Sequence, residues 1–202
     1  YARIAKFIMP AGYVAGRMAG LKAAEAYIDH TFIHYSALSD AQAGQWSPEL
    51  CTRLGVDLTR LPRIVAPWVI IGEVQADAGK DFGLSPGTPI AAGAADTAAG
   101  ALGAGIVRAG MLIDTAGTAA VLAGCTSQFV ADTQQRTLIS MRSVVPGKWN
   151  PLAYIAGGGL IQRWYRDTFL KSAHTQTQQL NQDLYGAMAE LAEKIPPGAE
   201  GL

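Results

Sequence analysis

Residues 89–107 constrain this chain more than any other stretch. Pro86-Gly87-Thr88-Pro89 predicts a turn leading into a short buried strand, Ile90-Ala91-Ala92-Gly93, and Thr97 to Val107 predicts an Ala/Gly-rich helix. The faces of such a helix are small enough to pack tightly against a sheet. The chain therefore reads as an α/β protein, and its composition agrees. Half of its 202 residues are hydrophobic, with a large alanine share, while 16% are charged and 8% aromatic. That profile belongs to a packed globular protein, not a disordered tail. Sixteen basic residues balance sixteen acidic ones, so the basic excess of a nucleic-acid surface is missing. No run approaches the roughly 18 apolar residues of a membrane helix. A soluble protein is expected, with neither nucleic acid nor membrane as partner.

The rest of the chain is punctuated by clear boundary signals. Apolar residues at helical spacing from Ile4 to Ala19, interrupted by Pro10 and Gly12, predict two short helices or one broken helix. Asp29 to Leu38 reads as irregular. Ser47-Pro48-Glu49 predicts a helix start, with Ser47 as N-cap and Pro48 at the first helical position, closed by Leu54-Gly55. Leu61-Pro62 predicts an extended exit. Val69 to Val74 predicts a strand, and Asp77 to Phe82 a short helix ending at Gly83. Beyond Arg108-Ala109-Gly110, apolar β-branched runs at 111–124, 137–145 and 151–156 predict three or more antiparallel strands. Gly157-Gly158-Gly159 opens a helix over 160–170, and Gln176 to Lys194 predicts a final amphipathic helix with Leu180, Leu184, Met188, Leu191 and Ile195 on one face.

Asp96 carries the most chemical information. It stands between a strand and a helix among side chains too small to shield it, and ligands of α/β sheets bind beyond the carboxyl ends of strands. There a lone carboxylate can take a proton from a substrate hydroxyl. It can equally cap the helix that follows, and the local string leaves both readings open. Gly117-Thr118 forms a turn that can aim amides and a hydroxyl at a phosphate, or simply a hairpin. The glycines before the 160–170 helix can admit an anion, or only close packing. Other signatures fail: Gly103-x-Gly105 is not completed as a dinucleotide motif, and Gly79-Lys80 lacks a phosphate-loop context. His30 and His34, four apart, lack the acidic or cysteine partners of a metal site, and His174 lies in a polar linker. Cys51 and Cys125 are isolated, read as ordinary buried thiols, and fit a reducing cytoplasm. No signal peptide is visible.

The order of these pieces is more specific than any one of them. Tyr13-x-x-x-Arg17-Met18-x-Gly20 is followed by Asp29, Trp46-Ser47-Pro48-Glu49-Leu50, Leu54-Gly55, Leu61-Pro62 and Ile71-Gly72-Glu73-Val74. Gly83-Leu84-x-x-Gly87-Thr88-Pro89 leads into the Asp96 string, then come Gly103-x-Gly105-Ile106-Val107, Gly117-Thr118 and Trp164-Tyr165-Arg166-Asp167. From Tyr1 to about Leu170 this succession closely resembles the FGGY carbohydrate kinases, the family of xylulose, glycerol, gluconate and ribulose kinases.

The resemblance implies a ribonuclease H-like fold of the actin, heat-shock-protein and sugar-kinase superfamily. Residues 1–108 would be the C-terminal part of the first, sugar-binding domain, and 109–202 the N-terminal part of the second, ATP-binding domain. It implies Asp96 as catalytic base, Thr97 as a substrate contact, Gly117 and Thr118 at the ATP phosphates, and Gly158 or Gly159 near the nucleotide. ATP with Mg²⁺, and a small sugar or polyol with a lean to a pentulose such as xylulose, are the implied ligands; no metal-binding residue of the chain itself is assigned. A homodimer is allowed, and a cytoplasmic location expected. Ala119 stands where relatives carry the serine of Gly-Thr-Ser, and Ala94-Ala95 where they carry glycines. These departures keep a silent sugar-binding relative, acting as sensor or structural partner, as the competing expectation. The family's Asp-x-Gly-Thr phosphate loop would precede Tyr1 and its adenosine-binding segment would follow Leu202. A partial two-domain fragment, inactive by itself, is therefore expected.

Overall fold

The computed structural model describes residues 1–170 and 183–201. The chain divides into two compact units, Tyr1–Asp114 with Val121–Tyr154, and Thr115–Ala120 with the residues from Ile155 onward. In the first unit, helix α1 covers Pro10–Met18 alone. Pro10 occupies the opening turn, where its missing N–H costs nothing. It therefore starts the helix and does not interrupt one, contrary to expectation. Residues before it are strapped to a distant turn: Phe7 N donates to Arg60 O at 2.9 Å, and Lys6 Nζ to Leu61 O at 2.9 Å. Strand β1 (Tyr27–Asp29) pairs in parallel with β4 (Arg63–Val65). A 3₁₀ turn over Ile33–Ser36 and a short ribbon, β2 (Ser39–Asp40) with β3 (Gln45–Trp46), fill the stretch between β1 and helix α2 (Pro48–Arg53). That helix starts as predicted, with the Ser47 hydroxyl accepting from Leu50 N.

Strand β5 (Ile70–Glu73) pairs antiparallel with β6 (Pro89–Ala91), on either side of helix α3 (Ala76–Phe82), which ends at a left-handed Gly83. The expectation of a buried strand at 90–93 is corrected here. Pro89 and Ala91 are exposed and Ile90 half-buried, because β6 belongs to a two-stranded ribbon and only Ala92 reaches the core. Gly93, at φ 82, turns the chain toward helix α4 (Asp96–Gly103). This helix stops short of Val107 because Gly105 adopts a left-handed conformation.

Strands β7 (Leu112–Ala116), β8 (Ala120–Gly124), β9 (Leu138–Arg142) and β10 (Trp149–Ile155) form one sheet in the order β7-β8-β10-β9. Ala95 and Ala98 pack on Ala123, Met141 and Leu152 of this sheet. Ala101 packs with Ile106 and Cys125. The small faces of α4 thus sit directly on the sheet, and Cys51 and Cys125 are both buried free thiols. A second cluster joins Ala19, Tyr27, Ile71 and Ala92.

In the second unit, the 115–120 turn packs on helix α5 (Gly158–Phe169). Gly159 N donates to Gly117 O at 2.8 Å and Leu160 N to Thr118 O at 3.3 Å. A side chain at either helical glycine would collide: a Cβ at Gly159 would lie 2.7 Å from Gly117 O, and one at Gly158 2.9 Å from the Ala120 Cβ. Helix α6 covers Leu184–Ala192, and Arg166 Nη1 donates to Tyr185 Oη at 2.7 Å. The beginning of the predicted final helix, with Leu180, and His174 lie outside the described residues. Among the described residues no helix is long and apolar enough to cross a membrane.

The two environments of glycine predict opposite signs. Gly159→Ala must displace backbone and should lower stability by about 1–3 kcal/mol. Gly100→Ala in α4, where an added Cβ meets nothing within 4 Å, should be neutral or stabilise by roughly 0.5–1 kcal/mol. Urea unfolding of both variants checks the contrast, and equal effects contradict it.

Candidate active site

Asp96 is the first residue of α4, not its N-cap; that place belongs to Ala95, which has no capping side chain. The cap reading of Asp96 is therefore corrected. Its Oδ1 accepts from Thr97 N at 2.7 Å, and the exposed carboxylate sits where a helix N-terminus favours negative charge. Thr97 is half-buried beside it, its hydroxyl 3.4 Å from the same oxygen.

The start of α4 is held from outside the helix. Ala95 N donates to Thr31 Oγ1 at 2.8 Å. The Thr31 hydroxyl in turn donates to Asp29 Oδ1, which also accepts from Thr31 N at 2.9 Å. Asp29, the last residue of β1, is only 4% exposed, and Thr31 and Ala95 are fully buried. Burial pushes the Asp29 carboxyl above its ordinary value, and the Thr31 hydrogen bonds oppose that rise.

Tyr35, on the 3₁₀ turn, faces the same carboxylate. Its phenol is pushed up by burial first and by the Asp96 charge second, while a hydrogen bond from the Thr97 side chain lowers it and the Tyr154 phenol adds to the rise. Tyr35 and Tyr154 are 57% and 56% exposed. Tyr35 is thus open to solvent beside Asp96, with the Tyr154 phenol near Tyr35, and the sequence reading missed both. Nothing local marks them, since the loop that brings Tyr35 to Asp96 lies some sixty residues upstream. Asp29 was noticed as a landmark, but its link to α4 through Thr31 was not.

His30 and His34 serve other ends. His30 Nε2 lies 3.1 Å from Ser143 O, so that nitrogen carries the proton, and the ring meets Trp68 edge-on at 5.7 Å. His34 lies against Tyr35, ring centroids 3.9 Å apart and tilted by 41°, and its ring nitrogens are buried with no hydrogen bond of good geometry among the described residues. Among the described residues no group of three or more His, Cys, Asp or Glu could hold a metal ion.

The four glycine and threonine residues read as nucleotide contacts do come together, in the second unit, where Gly117-Thr118 meets Gly158-Gly159. The amides of Gly159 and Leu160, which a helix N-terminus would offer an anion, are taken by the Gly117 and Thr118 carbonyls. Gly117 and Thr118 themselves stay exposed.

Residues 1–103 match the family model of the N-terminal domain of the FGGY family of carbohydrate kinases. The chain belongs to that family. Autoinducer-2 kinases of Yersinia pestis (strain Pestoides F) and Yersinia pseudotuberculosis (serotype O:1b) are 28% identical over 185 residues, 92% of this chain and 35% of theirs. The FGGY chain described here thus spans about a third of the length of those curated relatives. Xylulose kinase from Rhodospirillum rubrum superposes with a TM-score of 0.73 at 25% identity, over all of this chain and 38% of that one. Ligand-bound xylulose kinase from Lactobacillus acidophilus gives 0.76 at 19% identity, over 98% of this chain and 37% of that one. The fold is accordingly the ribonuclease H-like fold of the actin, heat-shock-protein and sugar-kinase superfamily, of which this chain contains a part.

The half-buried His34, with its ring nitrogens out of water, gives a signed pH effect. Burial pushes the His34 imidazole down from 6.5 to about 4, the Thr31 backbone opposing only in part. The unfolded chain protonates this ring first, so its contribution to stability is full above about pH 6.5 and is lost as pH falls toward 4. His30 is shifted in the same direction, again by burial first. His34→Phe should flatten the decline in urea midpoint over that window, and an unchanged slope contradicts the assignment.

Proposed function

We propose that this chain is a segment of an ATP-dependent carbohydrate kinase of about the length of its relatives, with Asp96 as general base. The exposed Asp96 carboxylate at the head of α4, placed by tertiary contacts within an FGGY family segment, is the observation that carries the reading. A hydroxyl of the sugar or polyol gives its proton to Asp96, its oxygen bonds to the γ-phosphorus of ATP, and the bond to the β-phosphate oxygen breaks to release ADP. Thr97, with the Tyr35 phenol opposite, would orient the substrate. Residues 1–108 supply this sugar side.

Residues 109–202 supply part of the nucleotide side in the same reading. Gly117 and Thr118 form the phosphate-facing turn, the Thr118 hydroxyl being its free donor. Gly158 and Gly159 act by letting that turn approach α5 closely. Mg²⁺ travels with the ATP phosphates, where it neutralises developing charge, and no ligand for it is assigned to this chain. The names of the relatives favour two substrate classes, a pentulose such as xylulose and autoinducer-2.

Asp96→Asn in the full-length kinase keeps size and removes the base. Turnover should fall by about 10²–10⁴-fold, with substrate affinity within a few-fold of wild type. Near-normal turnover would remove Asp96 from the mechanism. Thr118→Ala should raise the KM for ATP and leave the KM for sugar unchanged.

A further inference from the structure

We propose that Thr31 and Asp29 are positioning residues for the transfer, holding the first turn of α4 so that the Asp96 carboxylate stays aimed; this rests on the kinase reading above. A helix start leaves amides without partners. In a capping box, the N-cap amide is satisfied by a Glu or Gln at the third helical position. Here that position is Ala98 and the N-cap is Ala95, so α4 has neither half of the device in its own sequence. The Thr31 hydroxyl, 64 residues upstream, takes the part of the missing side chain by accepting from Ala95 N at 2.8 Å.

The direction of this chain of bonds is fixed. A hydroxyl has one proton, and that of Thr31 goes to Asp29 Oδ1, leaving its oxygen to accept from Ala95. Donating to a carboxylate polarises the hydroxyl and makes it a better acceptor. Asp29 also takes Thr31 N at 2.9 Å, which locks the pair as a rigid post at the end of β1. Ala95 itself has no exposure and packs against the four-stranded sheet, so its amide has no water to turn to if Thr31 loses its oxygen. Asp96 follows it directly. With Thr31 fully buried, the pair acts on the reacting carboxylate through the backbone and not through the substrate.

The test uses Thr31→Val, Thr31→Ser and Asp29→Asn in the full-length kinase, reading kcat, KM for the sugar and hydrogen exchange at the Ala95 amide. Thr31→Val should lower kcat about 10- to 100-fold while KM stays within about twofold, because a displaced catalytic group costs rate more than binding. Its Ala95 amide should exchange at least about tenfold faster. Thr31→Ser, which keeps the oxygen, should restore both readouts, and Asp29→Asn should shift both in the direction of Thr31→Val by a smaller factor. A Thr31→Val enzyme with normal kcat, a loss confined to KM, or an Ala95 amide as protected as in wild type would overturn the proposal. Should Thr31→Val not fold, unchanged kcat and unchanged Ala95 exchange in Asp29→Asn overturn it instead. A wild type that transfers no phosphate to any sugar overturns the kinase reading. The amide exchange, which needs no turnover, still decides whether Thr31 holds α4.

Discussion

The hydrogen bond from the Ala95 amide to the Thr31 hydroxyl is the contact on which the arrangement around Asp96 depends. It ties the end of a parallel strand pair to the head of a helix rich in alanine and glycine. Such a helix has little amphipathic drive of its own, and it gains stability by lying close against the sheet. Lying close buries its first amide, and burial makes a partner for that amide obligatory. The small residues and the buried Thr31–Asp29 pair are therefore two sides of one solution. The first allows close approach, and the second satisfies the backbone that close approach hides.

The second unit solves a similar problem differently. Its turn at Gly117-Thr118 and the start of α5 approach so closely that carbonyls of the turn accept the first helical amides. There the polar groups of the turn and of the helix satisfy each other directly, and glycine is needed because the backbones meet. In the first unit a side chain completes the helix start, and the Asp96 carboxylate stays exposed.

Features encoded locally were legible in the sequence. The Ser47 cap, Pro48 in the first turn and the left-handed Gly83 each follow from a few adjacent residues and appear as expected. The position of Asp96 between strand and helix was also legible, as was the group of strands after Gly110. Pro10 misled because proline is a breaker inside a helix and a starter at its first turn, and the apolar spacing from Ile4 extended across that boundary. The stretch at 90–93 misled because an apolar run does not reveal whether its strand is central or half-exposed. Tyr35, Tyr154 and the Thr31 bond were out of reach for another reason. Thr31 and Tyr35 meet the start of α4, and Tyr154 meets Tyr35, only through tertiary folding across tens of residues, and no spacing rule spans those distances.

An exposed carboxylate heads an externally braced helix start within an FGGY chain, and its proposed role is to take a proton from a bound hydroxyl. ADP release by the full-length protein, measured over pentuloses, hexuloses, polyols, aldonic acids and autoinducer-2, tests that account most directly. The account predicts ADP formed one-for-one with a phosphorylated member of one substrate class. Folded protein that releases no substrate-dependent ADP over the whole panel would contradict it.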